Sequence, residues 1–122
     1  MAVTVLIVDD HPSFRATARL LLEVEGYDVV GEARDGAEAI ELAERLRPDL
    51  VLLDVNLPDI DGFEVAARLT ERANGASAGG PAVILTSSRD PSDFGPLVQE
   101  SGARGFIPKA ELSGATLAAL LG

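Results

Sequence analysis

The 122-residue chain has no cysteine, a single lysine, a single histidine and no apolar run of membrane-spanning length. Without cysteine there is no disulfide, and a reducing cytoplasm is the easiest fit. A chain of this size buries roughly two-thirds of its unfolded surface, so one domain spanning 1–122 needs no covalent or metal staple. A spanning helix needs roughly 18 or more consecutive apolar residues, and none is present, so no membrane association is expected. The N-terminus lacks a basic region and a cleavage site and runs straight into Asp9-Asp10, which is not the pattern of a signal peptide. Basic residues are scarce: 10 Lys and Arg stand against 20 Asp and Glu, a net charge of −10. Phosphate contacts need clustered cations, so direct binding to nucleic acid is not expected of this domain. The acidity itself fits ordinary solubility as well as a docking role. Nine of the ten basic residues are Arg, and the only Lys is Lys109.

Two apolar runs end abruptly in acid. Val3-Thr4-Val5-Leu6-Ile7-Val8 meets Asp9-Asp10, and Leu50-Val51-Leu52-Leu53 meets Asp54. A short unbroken apolar run reads as a strand buried on both faces, as in a parallel sheet. Three carboxylates at the ends of two such strands would repel one another in one pocket, a costly arrangement that suggests a site.

Strand-like and helix-like segments alternate five times. The strands are expected over 3–8, 28–33, 50–54, 82–87 and 103–108. Helical spacing marks Phe14, Ala18, Leu21 and Leu22; Ile40, Ala43 and Leu46; Phe63, Ala66 and Leu69; Phe94, Leu97, Val98 and Ser101; and Leu117, Leu120 and Leu121. Such alternation implies a doubly wound parallel α/β sheet with right-handed crossovers. Gly26 and Gly102 are placed to stop the first and fourth helices, Pro48-Asp49 precedes the third strand, and Asp61 is a plausible cap for the third helix. Asn74 to Pro81 reads as a loose loop; no Lys follows it, so it is not a phosphate-binding P-loop. The fourth helix is weakly encoded: Asp90-Pro91-Ser92-Asp93-Phe94-Gly95-Pro96 holds two Pro and a Gly, with Ser92 or Asp93 the expected cap.

Ligands of open α/β sheets bind beyond the carboxyl ends of the strands. Here those ends carry Asp9-Asp10, Asp54, Thr86-Ser87 and Lys109. Singly, each has an ordinary explanation as a cap, a strand residue or a surface charge. Together they place three carboxylates, a hydroxyl and one ammonium on one rim. A haloacid-dehalogenase-type phosphatase would need Asp-x-Asp after the first strand, and a flavodoxin-type carrier a hydroxyl- and glycine-rich loop there; Asp9-Asp10-His11 is neither. Pro58 takes a ligand position in any calcium loop begun at Asp54. His11 reads as a rim residue beside the acids, and no nucleophile elbow accompanies it to make a triad.

The sequence resembles the receiver domain of bacterial two-component response regulators. The carrying motifs are Leu6-Ile7-Val8-Asp9-Asp10-His11-Pro12, Asp54-Val55-Asn56-Leu57-Pro58-Asp59-Ile60-Asp61-Gly62, Ile84-Leu85-Thr86-Ser87 and Gly105-Phe106-Ile107-Pro108-Lys109. Asp-Asp-His-Pro is most similar to the subfamily with helix-turn-helix output domains. The resemblance implies a flavodoxin-like (βα)5 fold with strand order 2-1-3-4-5 and a cytoplasmic phosphorylation switch. Asp54 would accept a phosphoryl group from a sensor histidine kinase or phosphotransfer protein. Asp9, Asp10, Asp54 and the backbone carbonyl of Asn56 would hold Mg²⁺ or Mn²⁺, Thr86 and Lys109 would contact phosphoryl oxygens, and Phe106 would turn inward as Thr86 moves. Asn56 and Ser88 would lie near the path of hydrolytic water. Such a domain catalyses its own phosphorylation and dephosphorylation without turning over a separate substrate. The alternative is a receiver-like binding module that ignores phosphorylation.

The chain departs from the family pattern in two places. Lys109 is preceded by Pro108 and followed by Ala110, where many receivers have Lys-Pro, so a cis bond after Lys109 is not expected. The final helix, about Leu112–Leu121, carries Gly114. Both this and the weak fourth helix bear on a homodimer or target face formed by the fourth helix, fifth strand and fifth helix. The chain is equally compatible with a stand-alone receiver and with a piece of a longer regulator.

Overall fold

The computed structural model describes residues 2–76 and 81–121. Five strands alternate with five helices: β1 (Thr4–Val8), α1 (Pro12–Val24), β2 (Asp28–Ala33), α2 (Gly36–Leu46), β3 (Leu50–Asp54), α3 (Gly62–Ala76), β4 (Ala82–Ser87), α4 (Leu97–Glu100), β5 (Gly105–Pro108) and α5 (Gly114–Leu121). All strands are parallel, in the order β2-β1-β3-β4-β5, as expected.

The period of two in a strand divides the core. Leu6, Val8, Val51, Leu53, Val83 and Leu85 pack on one face with Ala39, Ala43, Phe63, Ala66 and Leu69 from α2 and α3. Val5, Ile7, Leu50, Leu52, Ile84 and Ile107 pack on the other with Ala18, Leu22 and Leu117 from α1 and α5. Each fully buried aliphatic side chain contributes about 1.5–3 kcal/mol of burial free energy. Register then positions the rim. Val8 pairs with Leu53, Asp54 with Thr86, and Thr86 with Ile107. Continuing the second series by two residues reaches Asp9 after Ile7, Asp54 after Leu52, Thr86 after Ile84 and Lys109 after Ile107. Four polar groups thus end four apolar rows on one side of the sheet.

Helix boundaries follow local chemistry. Pro12 opens α1, and Gly26 leaves it at φ 94°. Asp35 caps α2 by accepting from the Glu38 N–H at 2.8 Å. Asp61 accepts from the Phe63 N–H at 2.7 Å at the start of α3, as its position suggested. A Cβ on Gly62 would lie 2.4 Å from the Asp54 carbonyl oxygen and 2.6 Å from Val55 Cα, so only glycine allows α3 to begin against the end of β3.

Several boundaries differ from expectation: β1 begins at Thr4 rather than 3, and β5 at Gly105 rather than 103. α3 continues through Asn74 to Ala76, and the rest of the expected loop, 77–80, lies outside the described residues. The fourth helix is split: Pro91–Phe94 forms a 3₁₀ turn capped by Asp90, not by Ser92 or Asp93, because the Asp90 carboxylate accepts from the Ser92 N–H at 2.9 Å. Gly95 at φ 57° then breaks the chain, Pro96 takes the cap position, and α4 has only four residues. The last helix starts at Gly114, after a 3₁₀ turn at Lys109–Glu111. Ser113 caps it through the Thr116 N–H, so Gly114 occupies the first turn rather than the interior. No described peptide bond is cis.

Candidate functional site

The rim brings Asp9, Asp10, Asp54, Thr86 and Lys109 together. Asp9 is fully buried. Its N–H donates to the Ala33 carbonyl at 3.0 Å, its own carbonyl accepts from Arg15 Nη1 at 2.6 Å, and its Oδ1 accepts from the His11 N–H at 2.8 Å. Asp10 is exposed. His11 is also exposed and lies 3.0 Å through Nδ1 from both Asp9 Oδ1 and Asp10 Oδ1. Its place is the rim, yet in direct contact with the acid pair.

Asp54 retains 2% of its surface. Its Oδ1 accepts from the Asn56 N–H at 3.1 Å, and its Oδ2 is 3.4 Å from Lys109 Nζ. Lys109 is closer to Asp9, with Nζ 2.6 Å from Oδ2, and sits 4.5 Å from the centroid of the Phe14 ring. Burial, then the Asp9 charge, pushes the Asp54 carboxyl from an ordinary 3.8 up to about 6, against the opposing pull of the Asn56 N–H and Lys109. For Lys109 burial disfavours the charge, but Asp9 and Asp54 together outweigh it and the ammonium titrates above its ordinary value.

Thr86 is 1% exposed, and its Oγ1 has no hydrogen-bond partner. An unpaired buried hydroxyl costs about 1–3 kcal/mol, so its presence beside Asp54 points to an acceptor that arrives from outside. Asn56 and Ser88 are exposed at the mouth. Phe106 is partly buried and tilts against Phe94 with ring centroids 5.6 Å apart; Phe94 meets Phe63 edge-on at 5.3 Å. This aromatic row connects the side of β5 to the core below α3.

Asp9, Asp10, His11 and Asp54 each offer one ligand atom, all within 4.8 Å of one another. Three carboxylates against one ammonium leave excess negative charge, and their oxygens suit a hard divalent cation. The donor set therefore fits Mg²⁺ or Mn²⁺.

Three supporting residues escaped the sequence reading. Arg15 reaches the Asp9 carbonyl while its Nε binds Glu32 Oε1 at 3.1 Å. Asp59 accepts from the N–H groups of Gly36 at 2.8 Å and Ala37 at 3.0 Å, fastening the loop after β3 to the start of α2. The Gly36 N–H chiefly holds the Asp59 carboxyl below its usual range. Phe14, counted only as a helix core position, lies beneath Lys109.

The parallel α/β sheet thus gathers acids, a buried hydroxyl and an ammonium at its strand ends. The model of the response regulator receiver domain matches residues 5–120, and the chain belongs to that family. It is similar to two nitrate/nitrite response regulators of Escherichia coli. NarP is 44% identical over 106 residues, covering 86% of this chain and 47% of that protein. NarL is 38% identical over 107 residues, covering 87% and 47%. The signal receiver domain of NarL from Mycobacterium tuberculosis superposes with a TM-score of 0.84 at 35% identity, covering 99% of this chain and 98% of that one. The chain spans about half the length of the curated relatives it matches. Among the described residues no helix is long and apolar enough to cross a membrane.

Proposed function

We propose that this receiver domain, taken as one unit over 1–122, is a cytoplasmic switch thrown by phosphorylation of Asp54. The observation that carries the reading is a nearly buried carboxylate, Asp54, flanked by Lys109 Nζ at 3.4 Å and aligned in register with an unpartnered Thr86 hydroxyl. A carboxylate oxygen of Asp54 attacks phosphorus, the bond to the donor breaks, and the donor group departs with that electron pair. The product is an acyl phosphate, a labile mixed anhydride suited to a temporary signal. A sensor histidine kinase or a phosphotransfer protein is the donor in the cell.

Asp9, Asp10, Asp54 and the Asn56 carbonyl would hold Mg²⁺ or Mn²⁺. When bound, the cation neutralises the acids and polarises the phosphoryl oxygens. Lys109 offsets charge that spreads over those oxygens in the transition state, and the Thr86 hydroxyl donates to one of them. That hydrogen bond satisfies Thr86, draws it toward Asp54 and vacates space toward which Phe106 turns. The signal then reaches the face of α4, β5 and α5, where an output domain, a protein partner or a second copy would read it.

The test is direct. Incubation with Mg²⁺ and acetyl phosphate adds one phosphoryl mass to the peptide containing Asp54, and Asp54→Asn abolishes it. Absence of the modification in the wild-type chain, together with failure to bind beryllofluoride, overturns the reading in favour of a module that binds partners without phosphorylation.

A further inference from the structure

Lys109 has a role in that reading, but the pairing of β5 ends one residue before it, at Pro108. It follows Pro108 at the last residue of β5 and opens the 3₁₀ turn Lys109–Glu111. Its long stem carries a large rotamer entropy, so an ammonium that must meet one phosphoryl oxygen needs to be held. Two of its neighbours are the carboxylates Asp9 at 2.6 Å and Asp54 at 3.4 Å. Both change state in the proposed reaction, one by engaging a cation and the other by becoming an acyl phosphate. Neither is a constant support.

The third neighbour is constant. Phe14 stands in the first turn of α1, which Pro12 opens, and packs against the cluster of Val5, Ile7, Ala18 and Leu22. The Lys109 ammonium lies over its ring, 4.5 Å from the centroid. An aromatic face attracts a cation through its quadrupole and does not titrate.

We infer that Phe14 is a positioning residue for phosphoryl transfer, an aromatic seat that keeps the Lys109 ammonium beside Asp54. Its effect on transfer rests on the reading of Asp54 as phosphoacceptor; its contact with Lys109 does not. The ring restricts Lys109 when Asp9 is engaged by a cation and when Asp54 loses its charge. A leucine in its place keeps an apolar side chain in the core but gives the ammonium no quadrupole to rest on.

Because Lys109 is the only lysine in the chain, ¹³C-lysine labelling gives a single side-chain resonance set. In the metal-free wild-type protein the Lys109 Cε protons should be shifted upfield by the ring current and show a nuclear Overhauser effect to the Phe14 ring. Phe14→Tyr should retain the upfield shift and Phe14→Leu lose it. Phosphorylation by acetyl phosphate with Mg²⁺ should slow roughly three- to tenfold in Phe14→Leu and remain close to wild type in Phe14→Tyr. In a Lys109→Met background, Phe14→Leu should add almost nothing to the residual rate. Equal slowing in both backgrounds, or a Lys109 signal with no ring-current shift in the wild type, overturns the inference. If Phe14→Leu does not fold, the wild-type resonance and the Phe14→Tyr comparison decide it. A wild-type chain that takes no phosphoryl group refutes the Asp54 reading, while the Lys109 resonance still judges the seat.

Discussion

At the ends of β1 and β3 the backbone is pinned from several sides, whereas beyond β4 and β5 it is carried by two 3₁₀ turns and a four-residue helix. On the first side, Asp9 is held by Ala33, Arg15 and His11, the loop after Asp54 is fastened through Asp59, and Gly62 seats α3 directly on the strand end. On the second, Gly95 adopts φ 57°, Leu97 is 46% exposed, and the Thr86 hydroxyl is unpaired. Short helical turns with no buried side chains give a segment a low free energy of local opening. The two halves of the rim differ in kind: one holds its charges in place from several sides, and the other is only lightly tied.

The comparison breaks most severely at Gly62. Gly62→Ala drives a methyl group into the backbone of Asp54 and Val55, atoms that cannot turn aside. It should destabilise the protein by about 3 kcal/mol or more in urea unfolding. A loss near zero would mean that the pinned half yields as readily as the other.

Asp54 comes next, with the opposite sign. Its folded pKa of about 6 lies above the ordinary 3.8, so between those values the folded state retains a proton that the unfolded state has released. Asp54 therefore lowers stability progressively as pH rises through this window, and the full cost persists above it. Without divalent cation, Asp54→Asn should stabilise the protein by about 1–3 kcal/mol near pH 7 and change little near pH 4. Thermal unfolding at both pH values checks the sign, and a destabilised variant at neutral pH contradicts the strained-site account. Smallest is Gly95→Ala. Open space surrounds a Cβ there, so the cost is conformational alone, about 1–2 kcal/mol. A much larger loss in urea unfolding would show tight packing on the side described as loose.

Much of this division was legible in the residues. Apolar runs that end in Asp9 and Asp54 disclose buried parallel strands and a charged rim at once, because charge at the end of a strand buried on both faces is costly unless something uses it. Gly26, Gly102 and Asp61 marked their boundaries because caps and left-handed turns are set by neighbours in sequence. The weakness around Gly95-Pro96 was readable too, but not its form, since whether a broken helix resumes depends on packing against β5 and α3. Asp90 displaced Ser92 and Asp93 as cap because Pro91, lacking an N–H, fits the first position after it. Asp59, Arg15 and Phe14 were hidden for another reason: their partners Gly36, Glu32 and Lys109 are distant in sequence, and only the register of the sheet brings them together.

A phosphoryl group bound by the rigid half should be reported by the pliant half. Amide hydrogen exchange, compared between the Mg²⁺-loaded protein and the same protein with beryllofluoride, tests it most directly. Exchange should change across 92–100 and around Phe106, with β1 and β3 unchanged. Beryllofluoride bound at Asp54 with identical exchange across 92–100 would contradict it.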